Sequence, residues 1–234
     1  MQKDLFLKEW LMITVIFSTL IFPAFSWAGG IALGATRVIY PANAKQVSLA
    51  VTNTDDKNRF LIQSWIENAK GEKTEDFILT PPLFVSNPKS ENTLRIIYGG
   101  EGLPNDRETL FWLSSKSIPS INKDEVKDKN ILQIAVLARI KMFVRPEGLL
   151  VQSAEAPNML SFQRQGTVLT ITNPSPYYIT LINLKLGEKS LPNTMVDPKS
   201  SVNLTLPSAS GGTVSYQTIN DYGANTPVIN IPVN

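Results

Sequence analysis

The stretch that decides the fold is Ile131-Leu-Gln-Ile-Ala-Val-Leu-Ala-Arg-Ile-Lys-Met-Phe-Val144. It contains only three polar side chains, Gln133, Arg139 and Lys141, and no Gly or Pro interrupts it before Arg145-Pro146. The run is too short and too polar to cross a bilayer, which takes about 20 mostly apolar residues. Because the neighbouring segments all show strand patterns, we predict a long strand that is apolar on both faces.

Two arrangements would explain a strand with two apolar faces. If it is the last strand of a sandwich, it lies at or near a sheet edge, and such edges are usually protected by charge, Pro or bulges. From Leu132 to Ala138 no charge and no Pro is present, so something else should cover the edge. Alternatively, the strand is central and both of its faces are core. The stretch alone does not decide between these arrangements.

The first 28 residues have the layout of a secretory signal peptide. Lys3 and Lys8 precede an apolar run from Trp10 to Phe22, and the segment ends in Ser26-Trp27-Ala28. This run fits a signal core better than a membrane span. A retained membrane anchor is the alternative, because two acidic residues cancel the charge of the lysines. We predict an exported, soluble mature chain after cleavage near Ala28.

The composition excludes most kinds of active site. The chain has no Cys and no His, so zinc and copper sites lack their usual ligands, and Ser-His-Asp or Cys-His catalysis is impossible. An exported chain without Cys must also be stabilised by packed cores instead of disulfides. The formal net charge is only +2, and no basic-aromatic patch suggests nucleic-acid binding. We expect no metal and no cofactor.

Short extended segments separated by turn residues occupy both sides of the long strand. This spacing predicts an all-β fold of two immunoglobulin-like β-sandwich domains. The predicted organisation is a signal peptide at 1–28, an N-terminal domain at 29–148 that carries the long strand, a linker at 149–157 and a C-terminal domain at 158–234. The predicted strands are 31–40, 47–52, 60–67, 77–80, 83–85, 93–98, 110–114 and 131–144 in the first half, and 160–164, 168–173, 178–185, 201–206, 214–220 and 228–233 in the second.

Eight local strings, in order along nearly the whole mature chain, resemble those of the PapD-like periplasmic pilus chaperones, and within that family the chaperones of type 1 fimbriae. The strings are Gly30-Ile-Ala-Leu-Gly-Ala-Thr-Arg-Val-Ile-Tyr-Pro41, Leu61-Ile-Gln-Ser-Trp65, Thr80-Pro-Pro-Leu-Phe84, Asp106-Arg-Glu-Thr-Leu-Phe-Trp112, Ile118-Pro119, Arg139-Ile-Lys141 with Arg145-Pro146, Asn173-Pro-Ser-Pro-Tyr-Tyr178, and Ile219-Asn-Asp-Tyr-Gly223.

The resemblance implies a non-enzymatic periplasmic chaperone whose two domains form a boomerang. It implies that the last strand of the first domain is lent to an incomplete pilus subunit, which is then delivered to an outer-membrane usher. Neither ATP nor a small-molecule substrate is needed. Whether free chains dimerise to cap this strand themselves is left open. The donated side chains would be Leu132, Ile134, Val136, Ala138 and Ile140.

The resemblance also assigns two groups of charged residues. Arg37 and Lys141 fall where the family binds the terminal carboxylate of the subunit. The interdomain ion network of the family falls on Glu108, Arg145 and Asp221. Without the resemblance, Arg37 and Lys141 would pass for ordinary surface charges at strand ends.

Two other functions remain as alternatives at this point. A pilus structural subunit or adhesin would share the β-rich pattern, but such proteins usually carry a Cys pair and one incomplete domain. An exported glycoside hydrolase would need two paired carboxylates. The 20 Asp and Glu residues supply candidates, but no pattern pairs any two of them.

Overall fold

The computed structural model describes residues 29–121, 130, 132–206 and 212–233. The predicted signal peptide, the segment 122–129, which is rich in charged residues, and Ile131, the first residue of the predicted strand at 131–144, therefore lie outside the described residues. Within them, seventeen strands and one 3-10 turn, at Ala156–Met159, form two β-sandwiches with separate cores. No helix in these ranges is long and apolar enough to span a bilayer. The predicted fold class, two immunoglobulin-like β-sandwiches, is confirmed.

The first sandwich contains nine strands in two sheets, with orders β1-β3-β7-β5 and β2-β9-β8-β4-β6. The sheets face each other across one core, and the alternation of buried and exposed residues along each strand follows from the period of two. The strands are β1 Ile31–Leu33, β2 Arg37–Pro41, β3 Val47–Asn53, β4 Phe60–Glu67, β5 Phe77–Thr80, β6 Leu83–Ser86, β7 Glu91–Tyr98, β8 Thr109–Pro119 and β9 Val136–Arg145.

The second sandwich has sheets β10-β11-β15 and β13-β12-β16-β17, with β14 also paired to β12. The short strands β13 and β14 escaped prediction because two or three residues are too few to show alternation. The strands are β10 Ser161–Gln165, β11 Val168–Asn173, β12 Ile179–Leu186, β13 Lys189–Ser190, β14 Thr194–Val196, β15 Ser200–Thr205, β16 Gly212–Thr218 and β17 Ile229–Val233.

The predicted single strand at 31–40 is two strands in different sheets. β1 pairs with β3 in one sheet, and β2 pairs in parallel with β9 in the other. The chain changes sheets at Gly34, whose N–H donates to Ala50 O at 2.8 Å. A Cβ on Gly34 would lie 3.0 Å from Ala50 Cβ, so the crossing requires a residue without a side chain.

The long strand is shorter at its start than predicted. β9 begins at Val136, where it pairs with Ser117 of β8, and Leu132–Ala135 lie outside any strand. Beyond Ser117, β8 continues to Pro119 paired only with β4, and Pro119 has no N–H to donate. The apolar side chains thus extend upstream of Val136, whereas the backbone pairing with β8 begins only at Val136.

Candidate functional site: an open strand edge that ends at a basic pair

The upstream half of β9 is an open sheet edge. Residues 136–140 pair with β8 on one side. On the other side, β2 pairs with β9 only from Lys141 to Arg145, and no other described strand takes its place at 136–140. Both arrangements considered from the sequence are thus correct for part of the strand: it is an edge before Lys141 and central after it.

One face of β9 continues the core of the first sandwich outward into solvent. Met142 and Val144 are fully buried, Ile140 is half-buried, and Val136 is 61% exposed. Before the strand, Ile134 and Leu132 are 64% and 85% exposed. All five predicted donor residues therefore lie along the open edge or the segment leading into it, and Leu132 and Ile134 precede β9 itself.

The opposite face of β9 is not apolar throughout, which corrects the sequence prediction. Leu137 is exposed, but Arg139 and Lys141 follow it on the same face, and then Phe143. The Phe143 ring stacks on Tyr178 of the second sandwich with ring centroids 5.4 Å apart. This face is therefore cationic beside the open edge and apolar where the two sandwiches meet.

Arg37 and Lys141, the predicted basic pair, are register partners in the parallel pairing of β2 with β9. Lys141 Nζ donates to Thr180 Oγ1 at 3.0 Å, and Arg37 Nη1 donates to Ile219 O at 3.1 Å. Neither cation has a carboxylate within ion-pair distance among the described residues, and Arg37 Nε is buried without a hydrogen-bond partner there. The pair can therefore accept an anion.

Burial makes both cations costly in the free chain. It lowers the pKa of Lys141 to about 8, and the charge of Arg37 adds to this effect. Burial also lowers the pKa of Arg37, although the carboxylates of Asp221 and Glu108 oppose the shift. A carboxylate placed between the two side chains would favour their charged forms.

Glu108, Arg145 and Asp221, which the resemblance assigns to an interdomain ion network, lie in contact with one another through Arg145. Arg145 binds Asp221 through two hydrogen bonds of 2.8 Å and donates from Nε to Glu108 Oε1 at 2.8 Å. Glu108 is only 3% exposed, and its Oε2 accepts from the Tyr178 N–H at 2.9 Å. Ser153 Oγ donates to Asp221 Oδ2 at 2.9 Å. The network thus joins the end of β9 and Glu108, the residue before β8, to the second sandwich.

Electrostatics within the network follow from burial and pairing. Burial raises the pKa of Glu108, although Arg145 opposes this. Burial also opposes the charged form of Arg145, but hydrogen bonds and charges from Asp221 and Glu108 outweigh it and raise its pKa. The pKa of Asp221 is lowered because the same pairing with Arg145 outweighs its burial. Removal of one member would leave a buried charge unpaired.

Sequence reasoning missed the second-sandwich groups that orient the basic pair. Ile219 and Tyr178 lie within the strings that resemble the family, so the sequence drew attention to these residues but did not predict their contacts. Nothing in the sequence marks Thr180. Gly223, with φ +84°, packs against Thr36 so closely that a Cβ would collide with Thr36 Oγ1. The contact places this turn beside Arg37.

The same region encloses a cavity of about 230 Å³ lined by Arg37, Arg145, Tyr177 and Asp221, among others. No group of three or more acidic side chains in the described parts of the chain could hold a metal ion. The described residues therefore offer a basic pair without a carboxylate partner and, next to it, an unpaired strand edge.

Comparison with known families agrees with this geometry. Residues 30–150 match the description "Pili and flagellar-assembly chaperone, PapD N-terminal domain", and residues 155–229 match "Pili assembly chaperone PapD, C-terminal domain". The chain belongs to the PapD-like family of pilus assembly chaperones. Members of this family are chaperones of pilus assembly and are not enzymes. The family assignment therefore fits neither a glycoside hydrolase nor a structural pilus subunit.

Individual relatives are similar in sequence to this PapD-like chaperone over most or nearly all of its length. It is 50% identical over 224 residues to the probable fimbrial chaperone SfmC of Escherichia coli, with 96% of this chain and 97% of SfmC covered. It is 54% identical over 199 residues to the chaperone protein FocC of Escherichia coli, with 84% and 87% covered.

Solved structures of similar fold are chaperones as well. The periplasmic chaperone SfaE superposes with a TM-score of 0.75 at 52% identity, covering 86% of this chain and 98% of SfaE. The SafB chaperone of Salmonella enterica, solved in complex with the SafA pilin, has a TM-score of 0.79 at 28% identity, with 88% and 98% covered.

Proposed function

We propose that this PapD-like chaperone acts in the periplasm, where it completes pilus subunits by lending them the open edge of β9 and then delivers them to an outer-membrane usher. One observation carries the proposal: the unpaired edge at 136–140 ends where Arg37 faces Lys141 across the β2–β9 ladder. A strand added to this edge would meet the start of β2, with two buried cations beside it.

The position of the basic pair fixes the direction of the added strand. The cations lie at the downstream end of the open edge, so a bound terminal carboxylate requires the subunit strand to run in the same direction as β9. Edge pairing then satisfies backbone groups on both partners. Because the carboxylate is held at one point, the strand cannot slip in register, which period-two pairing alone would allow.

Both the burial of apolar side chains and the binding of the carboxylate would stabilise such a complex. Each large apolar side chain that leaves water, such as Ile134 or Val136, contributes roughly 1.5–3 kcal/mol. A hydrogen bond between the carboxylate and a charged donor contributes about 1.5–3 kcal/mol. Ala138 is smaller and partly buried already, so its share is minor. No nucleotide is needed, because a better-fitting strand from another subunit can displace β9.

Three further observations support the proposal. The N-terminal layout of a signal peptide, with cleavage near Ala28, agrees with a periplasmic location, and SfaE is described as a periplasmic chaperone. The SafB chaperone was solved with a pilin bound, which supports pilus subunits as partners here. Each sandwich also has its own packed core, whereas an incomplete subunit would lack a strand.

The proposal is tested by co-purifying tagged mature chaperone with pilus subunits from periplasm. We expect the parent to bring down subunits in a one-to-one complex, and Arg37→Ala, Lys141→Ala and Val136→Asp to lose them. Lys185→Ala, which removes an exposed cation from β12, is the control for charge. Leu137→Asp, on the opposite face of β9 from Val136, is the control for a carboxylate on the strand.

The outcomes separate the parts of the proposal. If the folded parent binds no subunit, the chaperone function is wrong for this chain. If binding survives in the Arg37, Lys141 and Val136 variants, the function stands but the residues that carry it are others. If Val136→Asp and Leu137→Asp lose subunit binding equally, a negative charge on either face of β9 disturbs binding. The proposal that subunits bind the face that carries Val136 would then be wrong.

A further inference from the structure

A third cation, Arg139, lies on β9 beside the open edge, on the face opposite the donor side chains. Its guanidinium carbon lies 4.2 Å from the centroid of the Trp112 ring. Nε donates to Glu67 Oε2 at 2.9 Å, and Nη2 lies 2.7 Å from the same oxygen. Gly71, with φ +84°, approaches so closely that a Cβ there would be 3.3 Å from Nη2.

Arg139 is held by residues that are themselves fixed. Glu67 accepts from Trp65 Nε1 at 2.6 Å and from Ser114 Oγ at 3.3 Å. Burial raises the pKa of Glu67, but hydrogen bonds from Trp65 and Arg139 outweigh it, and the pKa lies below its usual value. The guanidinium is therefore positioned from three strands, β4, β8 and β9, before any partner arrives, and little side-chain entropy remains to be lost on binding.

This arrangement leaves donors unused. Glu67 occupies Nε and Nη2, and the two N–H groups of Nη1 have no hydrogen-bond partner among the described residues. The Arg139 side chain is 38% exposed. Directly opposite residues on neighbouring strands project to the same face of a sheet. Trp112 and Glu67 hold the guanidinium from the inner strands β8 and β4, and since Nε and Nη2 face Glu67, Nη1 is the nitrogen turned away from that carboxylate. A strand paired with the open edge would place a side chain on the same face as Arg139, and a side chain long enough to reach over β9 could meet Nη1.

We propose that Arg139 is a specificity-determining residue that reads one side chain of the bound subunit strand, namely the residue opposite Arg139, and favours a side chain that ends in an accepting oxygen (Asp, Glu, Asn or Gln). The inference rests on the proposed function, because it requires a subunit strand on β9. It differs from the carboxylate anchor, which any subunit terminus satisfies equally, in that it distinguishes one subunit from another.

A charged residue on an edge strand is also a common protection against aggregation. That role requires only charge and mobility. It does not require a planar group that is stacked on Trp112, paired with Glu67 and packed against Gly71, with one nitrogen left without a partner. The fixed geometry is what recognition of a particular side chain requires.

The test is a double-mutant cycle with purified chaperone and one pilus subunit in two versions, with Gln or with Ala opposite Arg139. We expect Arg139→Ala to weaken binding of the Gln subunit about three- to tenfold, the range for one exposed charged hydrogen bond, and to leave the Ala subunit unchanged. Arg139→Lys should lose most of the same discrimination, because an ammonium lacks the planar fork.

Lys116→Ala is the matched control, since Lys116 lies on the same sheet face opposite Leu137 and one strand farther from the edge. It should affect both subunit versions equally. Equal effects of Arg139→Ala on the two versions, or full discrimination by Arg139→Lys, would overturn the inference. Thermal unfolding of each variant, measured alongside, shows whether the loss of the Glu67 pair merely destabilises the chain, an effect that would not depend on the subunit version.

Arg37→Ala and Val136→Asp are included to separate the two proposals. If both lose the Gln subunit and the Ala subunit alike, while Arg139→Ala shows no preference, the chaperone function stands and only the role of Arg139 is wrong. If both bind like the parent, subunits do not use this edge, and the inference fails together with the proposed use of the edge; the chaperone function itself fails only if the folded parent binds no subunit.

Discussion

At the residue scale, the proposed role of Lys141 in binding a carboxylate is set against the cost of burying its charge. Its pKa is lowered to about 8 because the ammonium is buried, with Arg37 as a second cause. Bound carboxylate favours the charged lysine, so binding should be complete below this pKa and weaken as the pH rises through it. In mildly alkaline solution a smaller fraction of the free chains carries a charged Lys141, so we expect weaker binding of a carboxylate.

We predict that subunit affinity is constant below pH 8 and falls above it, by at most about tenfold per pH unit, because one proton is taken up. Titration of affinity on both sides of that pH measures the effect. Lys141→Arg is the control, since a guanidinium stays charged throughout this range. A slope that persists in Lys141→Arg would show that a different group titrates.

A second prediction concerns the free chaperone. Lys141→Met removes a half-buried charge that has no carboxylate partner among the described residues, so we expect the midpoint of thermal unfolding to rise by about 2–4 °C near neutral pH, equivalent to about 1 kcal/mol for a chain of this size. Subunit binding should be lost. Function and stability therefore oppose each other at this position.

The pH dependence of that gain has a defined sign. The lysine pKa is about 8 in the folded chain and 10.5 in the reference state. Between these values the unfolded parent binds more protons than the folded parent, so the stability of the parent rises with pH. The difference in unfolding midpoint between Lys141→Met and the parent should narrow over this window. A constant difference would show that packing, and not charge, explains the gain.

At the scale of elements, the open edge of β9 also predicts self-association. Exposed Leu132, Ile134 and Val136 next to unpaired backbone should bring two free chains together, so that each covers the strand of the other. Sedimentation velocity over a range of concentrations should show a dimer that Ile134→Lys abolishes. Leu150→Lys, at an exposed leucine outside the edge, should leave it unchanged; equal loss in both variants would show that the contact is unspecific.

The strand pattern could be predicted well from alternation, and its errors have local causes. Apolar side chains from Ile131 to Ala135 indicated a strand, but the pairing of β9 with β8 begins only at Val136. The change of sheet at Gly34 could not be predicted from alternation, because the residues before and after it are both in strands. Side-chain periodicity reports which face is apolar, whereas strand limits depend on partners that are distant in sequence.

The candidate site was predictable only in part for a related reason. The charged residues Arg37, Lys141, Glu108, Arg145 and Asp221 lie within strings that resemble a family, so motif matching could find them. Their orienting contacts come from ordinary backbone and hydroxyl groups, such as Ile219 O and Thr180 Oγ1. Such groups carry no sequence signal, because every residue has a carbonyl and threonine is common in strands.

At the scale of the whole molecule, the network around Arg145 joins the two sandwiches through the buried carboxylate of Glu108. We predict that Arg145→Met lowers the free energy of unfolding by about 3–5 kcal/mol, because Glu108 remains buried without a counter-charge. Chemical denaturation measures this loss. Asp106→Asn, which removes the exposed pair with Lys199 across the same two sandwiches, should change stability little.

The double variant Glu108→Gln with Arg145→Met distinguishes the mechanism. If the loss arises from the unpaired carboxylate, neutralising Glu108 should recover much of it. If the double variant is no more stable than Arg145→Met alone, the contribution of Arg145 lies in its packing against Tyr177 and not in its charge.

The start of β2 opposite Lys141 has one more consequence. Polypeptide that runs along the open edge in the direction of β9 meets the first residue of β2 at Arg37, so it must end there or turn away from the sheet. If subunits bind as proposed, a chain terminus would fit this edge better than an internal segment, because β2 occupies the path beyond it.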